Sequence, residues 1–124
     1  MKRNRCRNLR ESLVCAVQGI VVAFKTQRNI RIHALIGAVA LLLAMVLEFE
    51  RVEKAVVVLT VSSVISVEMV NTSIENAVDL ATGEYSRLAA AAKNAAAGAV
   101  LVVSTAALLV GILLYAPKLI ALIL

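Results

Sequence analysis

The stretch Glu68-Met-Val-Asn71-Thr72-Ser-Ile-Glu75-Asn-Ala-Val-Asp79 decides the fold. Residues 55–67 before it carry no charge, whereas Glu68, Asn71, Thr72, Glu75 and Asp79 follow at steps of three and four, a spacing that stacks them on one helical face. The apolar run predicts a helix in hydrocarbon, and the face predicts that this helix also meets protein or water. A charged side chain at the bilayer centre costs about 3 kcal/mol on insertion scales, so an acid at that depth reads first as a functional group.

Composition extends the membrane reading to the whole chain. Its 124 residues are 61% hydrophobic and 3% aromatic, with a mean hydropathy of +0.91. So small a soluble domain buries too little surface to hide that many apolar side chains. One integral membrane domain, residues 1–124, is expected, without a cleavable signal peptide. Three spans are predicted, at about 30–47, 55–80 and 95–116. The first is short, with 34–47 uncharged, and the third is uncharged throughout and stops at Pro117-Lys118.

Charge sets the orientation. The first 31 residues hold eight Lys or Arg against Glu11 alone, while the expected loop 48–54 holds three Glu against Arg51 and Lys54. The positive-inside bias therefore places the N-terminus in the cytoplasm. The net charge of +5 reads as topology and attraction to anionic lipid, with no nucleic acid as partner. Leu9, Leu13, Val17, Ile20 and Phe24 recur at helical spacing, so residues 7–27 form either an amphipathic surface helix or an ordinary basic juxtamembrane segment. Residues 88–100 are nearly all Ala and Gly around Lys93 and Asn94, which suits close helix packing. Cys6 and Cys15, nine apart, match no zinc site or obvious disulfide framework and read as incidental thiols.

Depth adds chemistry. Measured from residue 55, Glu68 lies roughly 20 Å along the helix at ~1.5 Å per residue, about 10 Å short of the inner edge of a ~30 Å core. Asp79 falls in cytosolic water. The polar face is then a ramp from the acyl region to the cytoplasm, suited to joining a lipid head group to a water-soluble reactant. A proton or cation relay at Glu68 is the competing explanation.

The pattern Glu-x-aliphatic-Asn-Thr-Ser-aliphatic-Glu-x-x-Val-Asp of residues 68–79 resembles the signature of the small prokaryotic membrane diacylglycerol kinases and their undecaprenol kinase relatives. The resemblance extends over 19–33 (Gly-Ile, Ala-Phe-Lys-Thr-Gln-Arg-Asn, Arg-Ile-His), 83–86 (Gly-Glu-Tyr-Ser), 92–100 (Ala-Lys-Asn-Ala-Ala-Ala-Gly-Ala-Val) and 117–119 (Pro-Lys-Leu). Arg-Asn-x-Arg-Ile-His and Ala-Ala-Gly-Ala-Val look more like the Gram-positive undecaprenol kinase branch. The resemblance implies an all-α homotrimer of three-span subunits with a surface helix, using ATP and Mg²⁺ to phosphorylate the hydroxyl of undecaprenol or, next, diacylglycerol. It implies Glu68 as general base and Glu75 as the Mg²⁺ ligand. Glu75, Asn71, Asp79, Glu84, Tyr85, Ser86, Lys93 and Asn94 would serve ATP, and Gly19, Arg28, Asn29, Arg31 and His33 the lipid; Arg28 and Arg31 read alternatively as topology charges or ATP contacts, and His33 as a packed residue. Arg7, Asn8 and Arg10 lie where the family contacts nucleotide.

These residue types are compatible with that chemistry, since phosphoryl transfer asks mainly for positioning, charge neutralisation and one proton acceptor. Two positions depart from the family pattern: Gln27 stands where it has Glu, and Asn94 where it has Asp. Both keep shape and remove charge, so Gln27 is a weak candidate for ATP binding and as a second metal ligand, and reduced activity is one expected consequence. Outside the enzyme class, a small proton- or cation-coupled transporter built around Glu68 leaves Lys93 and the 84–86 turn without a role, and a holin-like pore leaves the ordered acids unexplained.

Overall fold

The structure is a computed structural model that describes residues 8–84 and 86–124. Its described residues form four helices, α1 (Leu9–Thr26), α2 (Arg28–Val46), α3 (Arg51–Ala81) and α4 (Arg87–Ile123). α2, α3 and α4 are each long and apolar enough to cross a membrane. At ~1.5 Å per residue α3 and α4 are about 46 and 55 Å long, which exceeds a ~30 Å hydrocarbon core, so both carry turns beyond it.

The fold is all-helical, as the sequence predicts, and α3 is its axis: it packs against α4, α2 and α1. The buried apolar residues are few, mainly Ile30, Ala44, Phe49, Val57, Val64 and Ala96, while Leu35, Leu42, Leu101 and Leu113 are exposed. Such an inventory suits lipid as the solvent rather than a water-excluding core.

Local chemistry explains the joints. The Asn8 side chain accepts the Glu11 N–H (2.9 Å) and caps α1. Gln27 alone separates α1 from α2, with φ −105° and ψ 116°, and makes no side-chain cap bond. Residues 47–50 make the tight α2–α3 turn. There Phe49 N–H bonds Ala44 O (3.0 Å) and Glu48 N–H bonds Met45 O (3.2 Å), with Glu48 left-handed at φ 51°, the paired bonds of a Schellman motif.

Phe49 thereby folds back onto Ala44 and Val57. Its ring lies 4.7 Å from that of Tyr115, with Lys118 Nζ 5.6 Å from its centroid. Lys118 also stands 3.5 Å from Glu53 Oε2, and Glu53 Oε2 accepts the Glu50 N–H (2.7 Å). This outer knot ties the end of α4 to the α2–α3 turn.

The structure differs from the sequence reading at three points. α3 begins at Arg51, so the loop expected over 48–54 is a turn of four residues, because the Schellman bonds close α2 at once and the Glu50–Glu53 contact starts α3. α4 runs through Pro117 to Ile123 instead of stopping there. Proline removes one N–H and one intrahelical bond, and a membrane helix packed by its neighbours tolerates that loss. Cys15 is disulfide-bonded rather than an incidental thiol. Cys6 lies outside the described residues.

Close approach of α2 and α3 rests on Gly37. A Cβ there would collide with Val61 Cγ1, with Val61 Cγ2 and Cβ at 3.3 and 3.5 Å, and valine on a helix has little rotamer freedom to yield. Gly37→Ala should therefore lose about 1–3 kcal/mol to overpacking, outweighing the ~1 kcal/mol of helix propensity that alanine adds. Unfolding in micelles checks this: Gly37→Ala is expected to be less stable than wild type, with Val61→Ala restoring stability in the double variant. A stabilised Gly37→Ala would contradict this packing.

Candidate functional site

The sequence pattern on α3 becomes a single strip in three dimensions. Glu68, Asn71 and Thr72 are buried, with 4%, 8% and 8% exposure. Glu75 is half-buried and Asp79 exposed, one and two turns nearer the end of α3. Burial thus falls along the strip in the order expected for a ramp from an apolar interior to water.

Hydrogen bonding is sparse where burial is greatest. Glu68 makes no hydrogen bond or ion pair among the described residues. Asn71 Nδ2 donates to Glu75 Oε1 at 3.3 Å, while Asn71 Oδ1 is buried without a partner. Ser104 Oγ, on α4, is likewise buried and unpartnered. Other hydroxyls on these helices, including Thr60, Ser63, Ser73 and Thr105, donate to the carbonyl four residues earlier. A buried unmade hydrogen bond costs about 1–3 kcal/mol, so these orphans mark a place completed by something else.

At the exposed end Lys93 Nζ pairs with Asp79 Oδ1 at 2.7 Å, joining α4 to α3. The turn between them is held by Thr82, whose hydroxyl donates to Glu84 O at 2.8 Å and accepts the Glu84 N–H at 3.3 Å. Ser86 caps α4 by accepting the Ala89 N–H at 3.5 Å, so its hydroxyl has a structural task. Tyr85 lies outside the described residues, as does Arg7.

Among the other predicted positions, Asn94 is exposed one residue past Lys93, and Gln27 is half-buried at the α1–α2 break. Arg28, Asn29 and Arg31 are exposed in the opening turns of α2, and Gly19 is exposed on α1. His33 is half-buried and lines an apolar groove between α2, α3 and α4. The structure therefore brings Glu68, Asn71 and Glu75 together, with Asp79 and Lys93 paired below them.

Sequence reasoning missed Ser104, whose only signal was a hydroxyl within a long uncharged run. No group of three His, Cys, Asp or Glu among the described residues is arranged to hold a metal. Glu75 still suits Mg²⁺, which usually takes one or two carboxylates and completes its shell with substrate phosphates and water.

Known proteins are similar to this chain over most of its length. The family model described as prokaryotic diacylglycerol kinase matches residues 14–115. The chain is 37% identical over 117 residues to the undecaprenol kinase of Bacillus subtilis, covering 94% of this chain and 95% of that protein. It is 43% identical over 116 residues to the diacylglycerol kinase of Synechocystis, covering 93% of this chain and 66% of that one.

The Lys93–Asp79 pair is too exposed to hold the fold, at 37% and 65% side-chain exposure, since such pairs contribute about 0–1 kcal/mol. Lys93→Met, Asp79→Asn and the double variant should each unfold within ~1 kcal/mol of wild type in a denaturant titration in micelles. A coupling between the two well above that would make the pair a structural clamp instead.

Proposed function

Because the chain belongs to the prokaryotic diacylglycerol kinase family, we propose that this membrane lipid kinase transfers the γ-phosphate of MgATP to a lipid hydroxyl, with undecaprenol the first candidate substrate and diacylglycerol the second. The observation that carries this reading is Glu68, a buried carboxylate without a partner at the deep end of a strip that ends in the exposed Asp79–Lys93 pair. Family membership sets aside the transporter and pore readings.

Glu68 accepts the proton of the lipid hydroxyl as its oxygen attacks the γ-phosphorus, the bond from that phosphorus to the bridging oxygen breaks, and ADP leaves. Asn71 holds Glu75 by the 3.3 Å bond and fixes the carboxylate's orientation. Glu75 would hold Mg²⁺, which when bound neutralises charge on the phosphates. Lys93, released from Asp79, pairs with phosphate oxygens. Asp79, Glu84, Ser86 and Asn94 face the nucleotide.

The assembly we infer is a homotrimer. Ser62 and Ser66 are exposed along α3, and polar side chains at membrane depth favour a neighbouring helix over lipid. α1 is proposed to lie on the membrane surface: Leu9, Leu13 and Val17 are exposed apolar residues along it. The N-terminal charge excess sets that surface, and the ATP side, in the cytoplasm.

Two substitutions test the roles. Glu68→Gln keeps shape and removes the base, so phosphorylation should fall at least ~100-fold with unfolding unchanged; near-full turnover in a lipid phosphorylation assay would exclude Glu68 as base. Gln27→Glu adds a carboxylate where the side chain makes no cap bond. If Gln27 faces the metal, the Mg²⁺ titration of activity shifts to lower concentration and the effect is non-additive with Asn94→Asp. An unchanged titration would remove Gln27 from the metal shell.

A further inference from the structure

Outward of the polar strip, Val57, Val61 and Val64 continue the same side of α3 at steps of three and four, with Glu68 next in the series. These valines floor an apolar groove of about 690 Å³ whose walls are α2 and α4. The groove's lining ends inward at Val64 and Ser104, one helical turn short of Glu68.

The register of α4 on α3 is read at both ends from the contacts Glu53–Lys118 and Asp79–Lys93. Counting along the helices from either pair sets Ser104 level with Glu68 and Gly111 level with Val61, to within a residue. Gly111 therefore stands about 10 Å outward of Glu68 at ~1.5 Å per residue. Further out, the Tyr115 hydroxyl on α4 donates to Ala40 O on α2 at 2.7 Å.

That bridge limits what can occupy the groove. A helix seated between two others holds them two interaxial distances apart, about 16–20 Å, which is more than one tyrosine side chain spans. A helix from a second copy is therefore kept off the valine floor. A single hydrocarbon chain is thin enough, and the lining matches it. The Thr60 hydroxyl is spent on Val56 O at 2.8 Å, and the unpartnered Ser104 Oγ lies at the inner end, level with Glu68.

We propose that this groove holds one hydrocarbon chain of the lipid alcohol, hydroxyl end at Glu68 and tail running outward past Gly111 toward the Tyr115 bridge, with Gly111 as the residue that admits long chains. The proposal rests on the kinase reading and adds to it how the tail is read. A two-chain lipid places only one chain there, so a one-chain alcohol is held over its full contact length.

Gly111 is also where the groove is blocked most cleanly, because a Cβ added there meets nothing within 4 Å. Gly111→Leu projects into open space and leaves helix packing intact. In micelles, the full-length variant should lose roughly tenfold or more in kcat/KM for undecaprenol and long-chain diacylglycerol. A short-chain diacylglycerol whose tails end before the level of Gly111 should keep its wild-type value. Equal losses for long and short chains, or no loss for either, would overturn the proposal.

A second measurement does not depend on turnover. A long-chain alcohol with a photoreactive group midway along its tail is crosslinked to the wild-type chain and the adduct located by mass spectrometry. Adducts at Gly37, Ala107 or Gly111 that disappear in Gly111→Leu support the groove, even if no lipid is phosphorylated and the kinase reading fails. Adducts confined to the outer faces of α2 and α4 overturn the groove, even if kinase activity is intact.

Discussion

A helix that must cross hydrocarbon carries a carboxylate and an amide that cannot face it, and the rest of the structure follows from that conflict. α3 resolves it by taking the central position, with α4, α2 and α1 packed against it. Glu68 and Asn71 are thereby removed from lipid, yet Glu68 gains no hydrogen bond or ion pair among the described residues and Asn71 Oδ1 stays unpaired. Burial without partners costs about 1–3 kcal/mol per group. Proteins tolerate such local inconsistency mainly at functional sites, where a ligand completes the bonding.

The two ends of the α3–α4 pair divide the remaining tasks. At the outer end, Phe49, Tyr115, Lys118 and Glu53 form a knot of ring, cation and carboxylate contacts around a turn whose four N–H groups all donate. At the inner end, a single exposed ion pair joins Asp79 to Lys93. A screened pair of that kind is easily exchanged for another anion. Stability is concentrated away from the polar strip, and Lys93 is held at its end only by that exposed pair.

Much of this was legible in the sequence because a membrane strips the problem to a few strong signals. Charge-free runs announced three crossing helices, and steps of three and four placed Glu68, Asn71, Glu75 and Asp79 on one side. What was not legible depends on contacts between distant residues or on backbone states without a marker. Gln27 breaks a helix with neither proline nor glycine beside it. Glu48 takes a left-handed conformation that sequence assigns to glycine or asparagine, held by its two flanking backbone bonds and by Phe49 packing inward. Pro117 gives a stop signal that neighbouring helices override. Ser104 and Tyr115 acquire meaning only from the α3–α4 register, which no local pattern encodes.

The central claim is that the polar strip of α3 joins a lipid hydroxyl to a nucleotide, and its most direct measurement is transfer of labelled γ-phosphate. Purified chain in mixed micelles is given MgATP and either undecaprenol or diacylglycerol, and the label is followed into the organic phase. A phosphorylated lipid formed in proportion to ATP consumed is the expected result. Release of free phosphate without a lipid product, or no use of ATP with either alcohol, would contradict it.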